Sequence, residues 1–194
     1  MDAPTLRGMT AEALHDLTIA AWVEHEEAAQ GRCELVAGRL VVVQGGSDRH
    51  STVVTALYDR LASPFRESGC RVYPHNRRVV TPSGDGYYPD LVVRCGPRSH
   101  ELYETAPTWL MEVLSPSNTD AGMHRKLRGY LAIPSLQGYA VIDADGGGVV
   151  AHVREGGRWH VVDVTGGTLP IGPVLVDFAE LFADVDVQLR LGDV

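Results

Sequence analysis

Residues 108–116, TWLMEVLSP, constrain the fold more than any other stretch of this chain. In an extended strand its apolar side chains point to two opposite faces: Trp109, Met111 and Val113 to one, Leu110 and Leu114 to the other. Apolar residues on both faces are typical of a strand that is covered on both sides. Glu112 stands in the middle of this strand, and a buried carboxylate has to be paired, protonated or bound to a metal ion.

The other segments alternate between helical and strand patterns. Helical spacing of apolar residues predicts three helices, at 10–29 with Thr10 as its cap, at 51–65 and at 119–131. Strand patterns cover 31–43 (two short strands around Ala37-Gly38), 71–80, 87–94, 108–114, 138–143 and a hairpin that turns between Glu155 and Arg158. The tail, PVLVDFAELFADV, reads as a short amphipathic segment.

From Ser51 onward the order is helix, three strands, helix, strand. A mixed sheet with helices on its faces fits this order, so we expect a mixed α/β fold. The extra strands at both ends are expected to widen the sheet or to cover its edges. The length of 194 residues suits one domain over 1–194, with its core at about 31–145.

Composition excludes several classes of protein. A hydrophobic fraction of 44% and a charged fraction of 22% are globular values. The sequence has no apolar run long enough to span a bilayer, and its N-terminus does not resemble a secretory signal. Cys33, Cys70 and Cys95 are odd in number and form no CxxC pair, which favours three buried free thiols and a cytoplasmic location.

The formal net charge of −8 gives the chain no overall electrostatic attraction for nucleic acid. Local basic patches are possible at Arg77-Arg78 and at 124–128, HRKLR. Solvated surface charge explains these arginines equally well.

A second carboxylate, Asp90, occurs in the predicted strand YYPDLVV, where it shares a face with Tyr88 and Val92. If this strand lies beside the Glu112 strand, the two carboxylates converge and repel each other unless a positive group lies between them. A divalent cation such as Mg²⁺, which takes oxygen ligands, is the natural partner.

Lys126 lies on the following predicted helix, on the face that also carries Met123 and Tyr130. An inward-facing lysine requires an acidic or phosphate partner. Together, Asp90, Glu112 and Lys126 suggest a metal site with a lysine that orients a nucleophile or offsets developing charge.

These segments (ELVAGRL, His50, YYPDLVV and WLMEVLSPSNTDAGMHRKLRGY) resemble the Uma-type restriction endonuclease family, a branch of the PD-(D/E)XK nuclease superfamily. The resemblance extends from about Thr10 to the tail LPIGPVLVDFAELF. It implies a restriction endonuclease-like α-β-β-β-α-β core, with an extra N-terminal helix and hairpin and extra C-terminal strands. It also implies a metal-dependent endonuclease that uses Mg²⁺ or Mn²⁺ to hydrolyse nucleic acid, most simply DNA.

The resemblance assigns residues as well. Asp90 and Glu112 would be metal ligands and catalytic residues. Leu114 occupies the place of the usual lysine, so Lys126 would replace that lysine from the next helix. Glu34 would be an extra acidic group near the metal, and His50 would contact nucleic acid. Arg125, from the basic patch at 124–128, is a second candidate for contact with nucleic acid.

Alternatives remain open at this point. Asp90 and Glu112 could form ion pairs with Arg94, Arg125 or Lys126, and Lys126 could be a plain salt-bridge lysine. Glu34 could be a half-exposed strand carboxylate, and His50 a helix-end residue. The rival functions are a catalytically inactive interaction protein with a nuclease fold and a metal-dependent phosphoesterase for small substrates. A homodimer would suit cleavage of two strands.

Overall fold

The computed structural model of the protein describes residues 16–28, 31–97, 100–114 and 120–191. The helices in these ranges are α1 (Ile19–Ala28), α2 (Asp48–Glu67), α3 (Asp120–Leu131) and α4 (Phe178–Leu191). The strands are β1 (Cys33–Val36), β2 (Arg39–Val42), β3 (Cys70–Pro74), β4 (Arg78–Val80), β5 (Gly86–Tyr87), β6 (Leu91–Cys95), β7 (Tyr103–Glu104), β8 (Trp109–Leu114), β9 (Gly138–Asp143), β10 (Val149–Glu155), β11 (Arg158–Asp163), β12 (Thr168–Ile171) and β13 (Val174–Asp177). None of the described helices has the length and apolar character needed to cross a membrane.

A six-stranded mixed sheet forms the centre of the molecule, in the order β11-β10-β9-β8-β6-β3. β8 and β9 are parallel, whereas their neighbours in the sheet pair antiparallel. In chain order, α2, β3, β6, β8, α3 and β9 reproduce the predicted succession of helix, three strands, helix and strand. The predicted mixed α/β fold is therefore confirmed.

β8 is covered on both faces, as its alternation predicts. The side chains of Trp109, Met111 and Val113 belong to the larger apolar cluster, which also contains residues of α2 and α4. Leu110 packs in a second cluster with tyrosines of α3 and β9. Burial of each such large side chain contributes roughly 1.5–3 kcal/mol. Glu112 shares the Leu110 face, so it points into the second cluster beneath α3.

α2 begins three residues earlier than predicted, at Asp48 instead of Ser51. Ser47 is its N-cap, and the Ser47 side chain accepts a hydrogen bond from the His50 backbone N–H. The polar loop therefore supplies the cap, and His50 lies in the first turn of the helix, not before it.

Two of the predicted strands are broken. The segment 71–80 divides into β3 and β4 because His75 and Asn76 adopt left-handed conformations, with φ of +49° and +55°. The segment 87–94 divides into β5 and β6 around Tyr88 and Pro89, where proline lacks a backbone donor for a sheet ladder. Asp90 therefore precedes β6 and does not lie within a continuous strand.

The halves of these broken strands belong to different sheets. β4 and β5 leave the central sheet and join the N-terminal hairpin and β7 in a second sheet, in the order β2-β1-β5-β4-β7. The expectation that the N-terminal strands widen the central sheet is wrong, because they belong to this second sheet. The C-terminal hairpin β10–β11 does extend the central sheet, as expected.

The N-terminal helix is shorter than predicted. In the described part of the segment it begins at Ile19, because Asp16 has a left-handed φ of +60° and Thr18 accepts a hydrogen bond from the Ala21 N–H. Thr10, the predicted cap, lies outside the described residues.

The prediction of three free thiols is wrong, since Cys70 and Cys95 form a disulfide and Cys33 is buried and free. The two bonded cysteines lie opposite each other in the antiparallel register of β3 and β6. Sequence spacing does not reveal this register. The predicted cytoplasmic location was argued from three free thiols, and the disulfide removes that argument.

Candidate functional site

A cavity of about 510 Å³ is lined by residues from both larger sheets and from α2 and α3. Its acidic, basic and histidine lining residues are Arg32, Glu34, His50, His75, Asp90, Glu112 and Lys126. The fold thus brings all four predicted catalytic residues, together with His50, to one place.

Asp90 reaches this cavity because of strand register. Leu91 pairs with Met111, so Asp90 stands opposite Glu112 at the point where β6 begins. The Val113 backbone N–H donates a hydrogen bond of 2.8 Å to Asp90 Oδ2. The prediction that the two carboxylates come from neighbouring strands is correct, although Asp90 occupies the entry to its strand.

Glu112 is the most deeply buried acid of the cavity, with 4% of its surface exposed. The Tyr130 hydroxyl donates a 3.0 Å hydrogen bond to Glu112 Oε1, and Lys126 Nζ lies 3.3 Å from the same oxygen. Burial raises the pKa of Glu112 to about 7, with Asp90 acting in the same direction and Lys126 opposing it. Of the three ion-pair partners considered from the sequence, Lys126 is the one in contact with Glu112.

Lys126 projects from α3 between two carboxylates, 2.8 Å from Glu34 Oε1 and 3.3 Å from Glu112 Oε1. Burial disfavours its charge, but Glu112 and Glu34 outweigh burial and raise the pKa of Lys126 above its ordinary value. The lysine is therefore a fixed cation in this site and not a proton acceptor.

Glu34 comes from the second sheet. It lies on β1 opposite Val41 of β2, and it accepts a 3.3 Å hydrogen bond from the Tyr88 backbone N–H. Its side chain is 13% exposed. The alternative of a half-exposed strand carboxylate does not describe this environment, because the carboxylate contacts Lys126 within the cavity.

His50 contacts Asp90, with Nε2 3.3 Å from Oδ1. The hydrogen bond with Asp90 is the largest of the effects that raise the pKa of His50. Its other ring nitrogen, Nδ1, is buried and has no hydrogen-bond partner in the described part of the chain. His50 is therefore more than a residue of the first helical turn, because its side chain contacts Asp90 in the cavity.

Arg125 lies elsewhere. Its Nε and Nη2 atoms donate 2.9 Å hydrogen bonds to the two carboxylate oxygens of Asp85, and it does not line the cavity. Asp85 also accepts hydrogen bonds from the Ala37 N–H and the Tyr87 hydroxyl. This contact ties α3 to the second sheet.

Sequence reasoning did not single out Arg32 or His75. His75 Nδ1 lies 3.9 Å from Asp90 Oδ1, and burial lowers the pKa of His75. His75 lies in the left-handed turn that breaks a predicted strand, and Arg32, which directly precedes β1, donates a hydrogen bond to Asn76 of that turn. The only local signal was the presence of Asn76, since asparagine tolerates the left-handed conformation.

The donor atoms of the cavity are mainly carboxylate oxygens, which hard divalent cations prefer. Within the described ranges, no three His, Cys, Asp or Glu side chains are already gathered in a metal-binding arrangement. Three carboxylates nevertheless share the cavity with the Lys126 ammonium and the Arg32 guanidinium, which leaves one negative charge in excess when all three acids are ionised and both histidines are neutral. The arrangement can thus attract a cation and hold a phosphate group beside it.

Comparison with known proteins matches residues 12–186 to the Uma2 family, described as "putative restriction endonuclease". The uncharacterized protein sll1609 of Synechocystis sp. is 27% identical over 132 residues, which are 66% of this chain and 75% of that protein. The uncharacterized protein slr1290 of the same organism is 25% identical over 146 residues, 73% of this chain and 77% of that protein.

A solved structure is also similar. The crystal structure of "a putative nuclease belonging to DUF820" from Anabaena variabilis matches with a TM-score of 0.66 at 18% identity, covering 81% of this chain and 93% of that one. The likeness confirms the predicted restriction endonuclease-like fold. Because the family match spans most of the sequence, the chain belongs to the Uma2 family of putative restriction endonucleases.

Proposed function

We propose that this protein is a divalent-metal-dependent nuclease that hydrolyses phosphodiester bonds in nucleic acid, with Asp90 and Glu112 as ligands of Mg²⁺ or Mn²⁺. The observation that carries the proposal is the position of Asp90 opposite Glu112 at the start of β6, inside a cavity that also holds Lys126. The membership of a family described as a putative restriction endonuclease supports the nuclease assignment.

The residues present fit a hard cation. Glu34, Asp90 and Glu112 supply oxygen donors, and Lys126 and Arg32 together leave one of their three charges unbalanced. Burial raises the pKa of Glu112, so a cation beside it would relieve an electrostatic strain that Lys126 only partly offsets. A bound divalent ion would supply Lewis-acid stabilisation of the negative charge that develops on the phosphate.

The surrounding side chains fix the positions of these groups. Tyr130 orients Glu112, His50 and the Val113 N–H orient Asp90, and Glu34 holds the Lys126 ammonium. In hydrolysis a water oxygen bonds to phosphorus and gives up a proton to solvent, and the bond from phosphorus to the leaving oxygen breaks as that oxygen takes up a proton from solvent. We assign to Lys126 the positioning of the attacking water and to Glu34 the positioning of Lys126.

Metal binding can be tested independently of cleavage because Lys126 is the only lysine in the sequence. Protein labelled with ¹³C-lysine should give one ε-carbon signal, which Mn²⁺ should broaden when it binds near Asp90 and Glu112. A calorimetric titration of Mn²⁺ should give saturable binding that Asp90→Asn abolishes. The exposed residue Asp59 provides a matched control, since Asp59→Asn removes an equal charge on α2 away from the cavity.

Cleavage should then be measured on plasmid, single-stranded DNA and RNA. We expect metal-dependent cleavage by the wild-type protein and by Asp59→Asn, and its loss in Asp90→Asn and Glu112→Gln with the fold intact. Undiminished cleavage by Asp90→Asn would refute the proposed metal ligands. Absence of both metal binding and cleavage in the wild type would favour an interaction protein that retains the nuclease fold. DNA as the substrate and a homodimeric assembly stay predictions.

A further inference from the structure

Arg32 is a cation of the cavity lining that the proposed chemistry does not use. Its guanidinium has no carboxylate within ion-pair distance among the described residues, and its side chain is exposed. Lys126, in contrast, is held by Glu34 and Glu112. Arg32 is thus available to an incoming anion, whereas the lysine is already engaged.

The guanidinium of Arg32 is nevertheless held in place. Nη2 donates a hydrogen bond to Asn76 Oδ1, and the guanidinium carbon lies 5.1 Å from the centroid of the Tyr88 ring. Asn76 follows His75 in a turn where both residues are left-handed, which is uncommon for residues other than glycine. The turn therefore positions a neutral acceptor that orients Arg32 without neutralising its charge.

A planar guanidinium with free N–H groups matches the geometry of a phosphate, and it loses little conformational freedom on binding when it is already oriented. The Tyr88 ring that stacks against Arg32 belongs to the connection that leads directly to Asp90. An anion on Arg32 would therefore be located beside the carboxylates of the cavity.

Part of the cavity lining is apolar. Val41 and Val42 of β2 are 48% and 70% exposed, and Val41 pairs with Glu34 across the hairpin. Glu112, in contrast, is only 4% exposed at the base of the cavity. An unpaired strand of nucleic acid can place a phosphate beside these carboxylates with its base or sugar against the valines, because its bases are not held in a duplex.

We infer that Arg32 binds a backbone phosphate of an unpaired nucleic-acid strand and positions the neighbouring phosphodiester over Asp90 and Glu112. The inference rests on the proposed nuclease function and adds the substrate class and the residue that recognises it. The net charge of −8 agrees with it, since a duplex would need a wider array of phosphate contacts than one arginine offers.

The test is binding of a short fluorescent single-stranded oligonucleotide by the full chain, followed by anisotropy over a range of salt concentrations. Measurements with a chelator and with Ca²⁺, which has similar ligand preferences, separate phosphate recognition from metal binding. Arg32→Gln should bind about tenfold more weakly, and the slope of log affinity against log salt should become shallower by about 0.7, the value for one lost contact to a single strand. Arg32→Lys should be intermediate, because it keeps the charge and loses the planar fork.

Arg39→Gln is the matched control, since Arg39 is an exposed arginine of the same hairpin that does not line the cavity. Arg39→Gln should bind as the wild type does, and a duplex of the same sequence should compete more weakly than the single strand. Wild-type affinity and slope in Arg32→Gln would overturn the role of Arg32 and leave the nuclease proposal standing. Equal competition by the duplex would overturn the substrate class. If the wild type neither binds nor cuts nucleic acid, the proposed function fails, and the inference fails with it.

Discussion

Lys126 Nζ lies 2.8 Å from Glu34 Oε1, although the two residues come from α3 and from the hairpin of the second sheet. The same nitrogen lies 3.3 Å from Glu112 in the central sheet. One ammonium group therefore bridges carboxylates of both sheets. Such a buried arrangement adds little net stability by itself, but removal of one partner leaves the other charges unpaired in a medium of low dielectric constant.

Replacement of Lys126 by Met should therefore destabilise the protein. We expect the free energy of unfolding at neutral pH to fall by about 3 kcal/mol, because Glu34 and Glu112 lose their cation. Urea denaturation measures this change. Mn²⁺ should restore part of the loss if the carboxylates bind it. Arg128→Met, on the exposed side of the same helix, should change stability by less than about 0.5 kcal/mol. Equal effects of the two variants would contradict the bridging role of Lys126.

The buried strand with its central carboxylate could be predicted because its evidence is local. Alternation of side chains along 108–114 depends on two-residue periodicity alone, and the structure reproduces both faces of the strand. The contact between Lys126 and Glu112 could also be predicted, because the strand that carries Glu112 is followed directly in the chain by the helix that carries Lys126. These features need no knowledge of distant residues.

Contacts that depend on sheet register could not be predicted in this way. The Cys70–Cys95 disulfide and the contact between Glu34 and Lys126 each join segments whose pairing partner the sequence does not specify. The break between β5 and β6 could not be predicted from the sequence, because YYPDLVV has the residue pattern of a strand on both sides of Pro89. The break changes the sheet to which each half belongs, and it moves Asp90 to the entry of its strand.

The contact between Asp85 and Arg125 should make stability dependent on acidic pH. Burial alone would raise the pKa of Asp85, but the hydrogen bonds from Arg125 and the Ala37 N–H outweigh it, so the pKa of the folded state lies below that of the unfolded chain. The contact therefore stabilises the fold above about pH 4 and loses its effect as the pH falls through the folded-state value. Asp85→Asn should lower the free energy of unfolding by about 2 kcal/mol at pH 7. The difference from wild type should shrink towards pH 3 in urea titrations, and a difference that is constant with pH would contradict this origin.

Gly46 should tolerate no side chain, whereas its neighbour Gly45 should accept one. A Cβ atom at Gly46 would lie 2.4 Å from His50 Nδ1, while a Cβ atom at Gly45 would meet nothing within 4 Å. Gly46→Ala should therefore displace His50 from Asp90 and destabilise the protein by about 1–3 kcal/mol. Histidine NMR should report the loss of the contact as a fall in the pKa of His50, since the hydrogen bond to Asp90 is the largest cause of its elevation. Gly45→Ala is the control and should match the wild type in both measurements.

The disulfide can be checked by counting reactive thiols. In denaturant without a reductant, one cysteine, Cys33, should react with an alkylating reagent, and after reduction all three cysteines of the sequence should react. Reduction should also lower the free energy of unfolding by about 3 kcal/mol, because the bond closes a loop with a sequence separation of 25 residues and so restricts the unfolded chain. Cys70→Ser should reproduce this loss without reductant and leave Cys33 and Cys95 reactive. Three reactive thiols in the unreduced wild-type protein would contradict the disulfide and return all three cysteines to the free state that their spacing predicts.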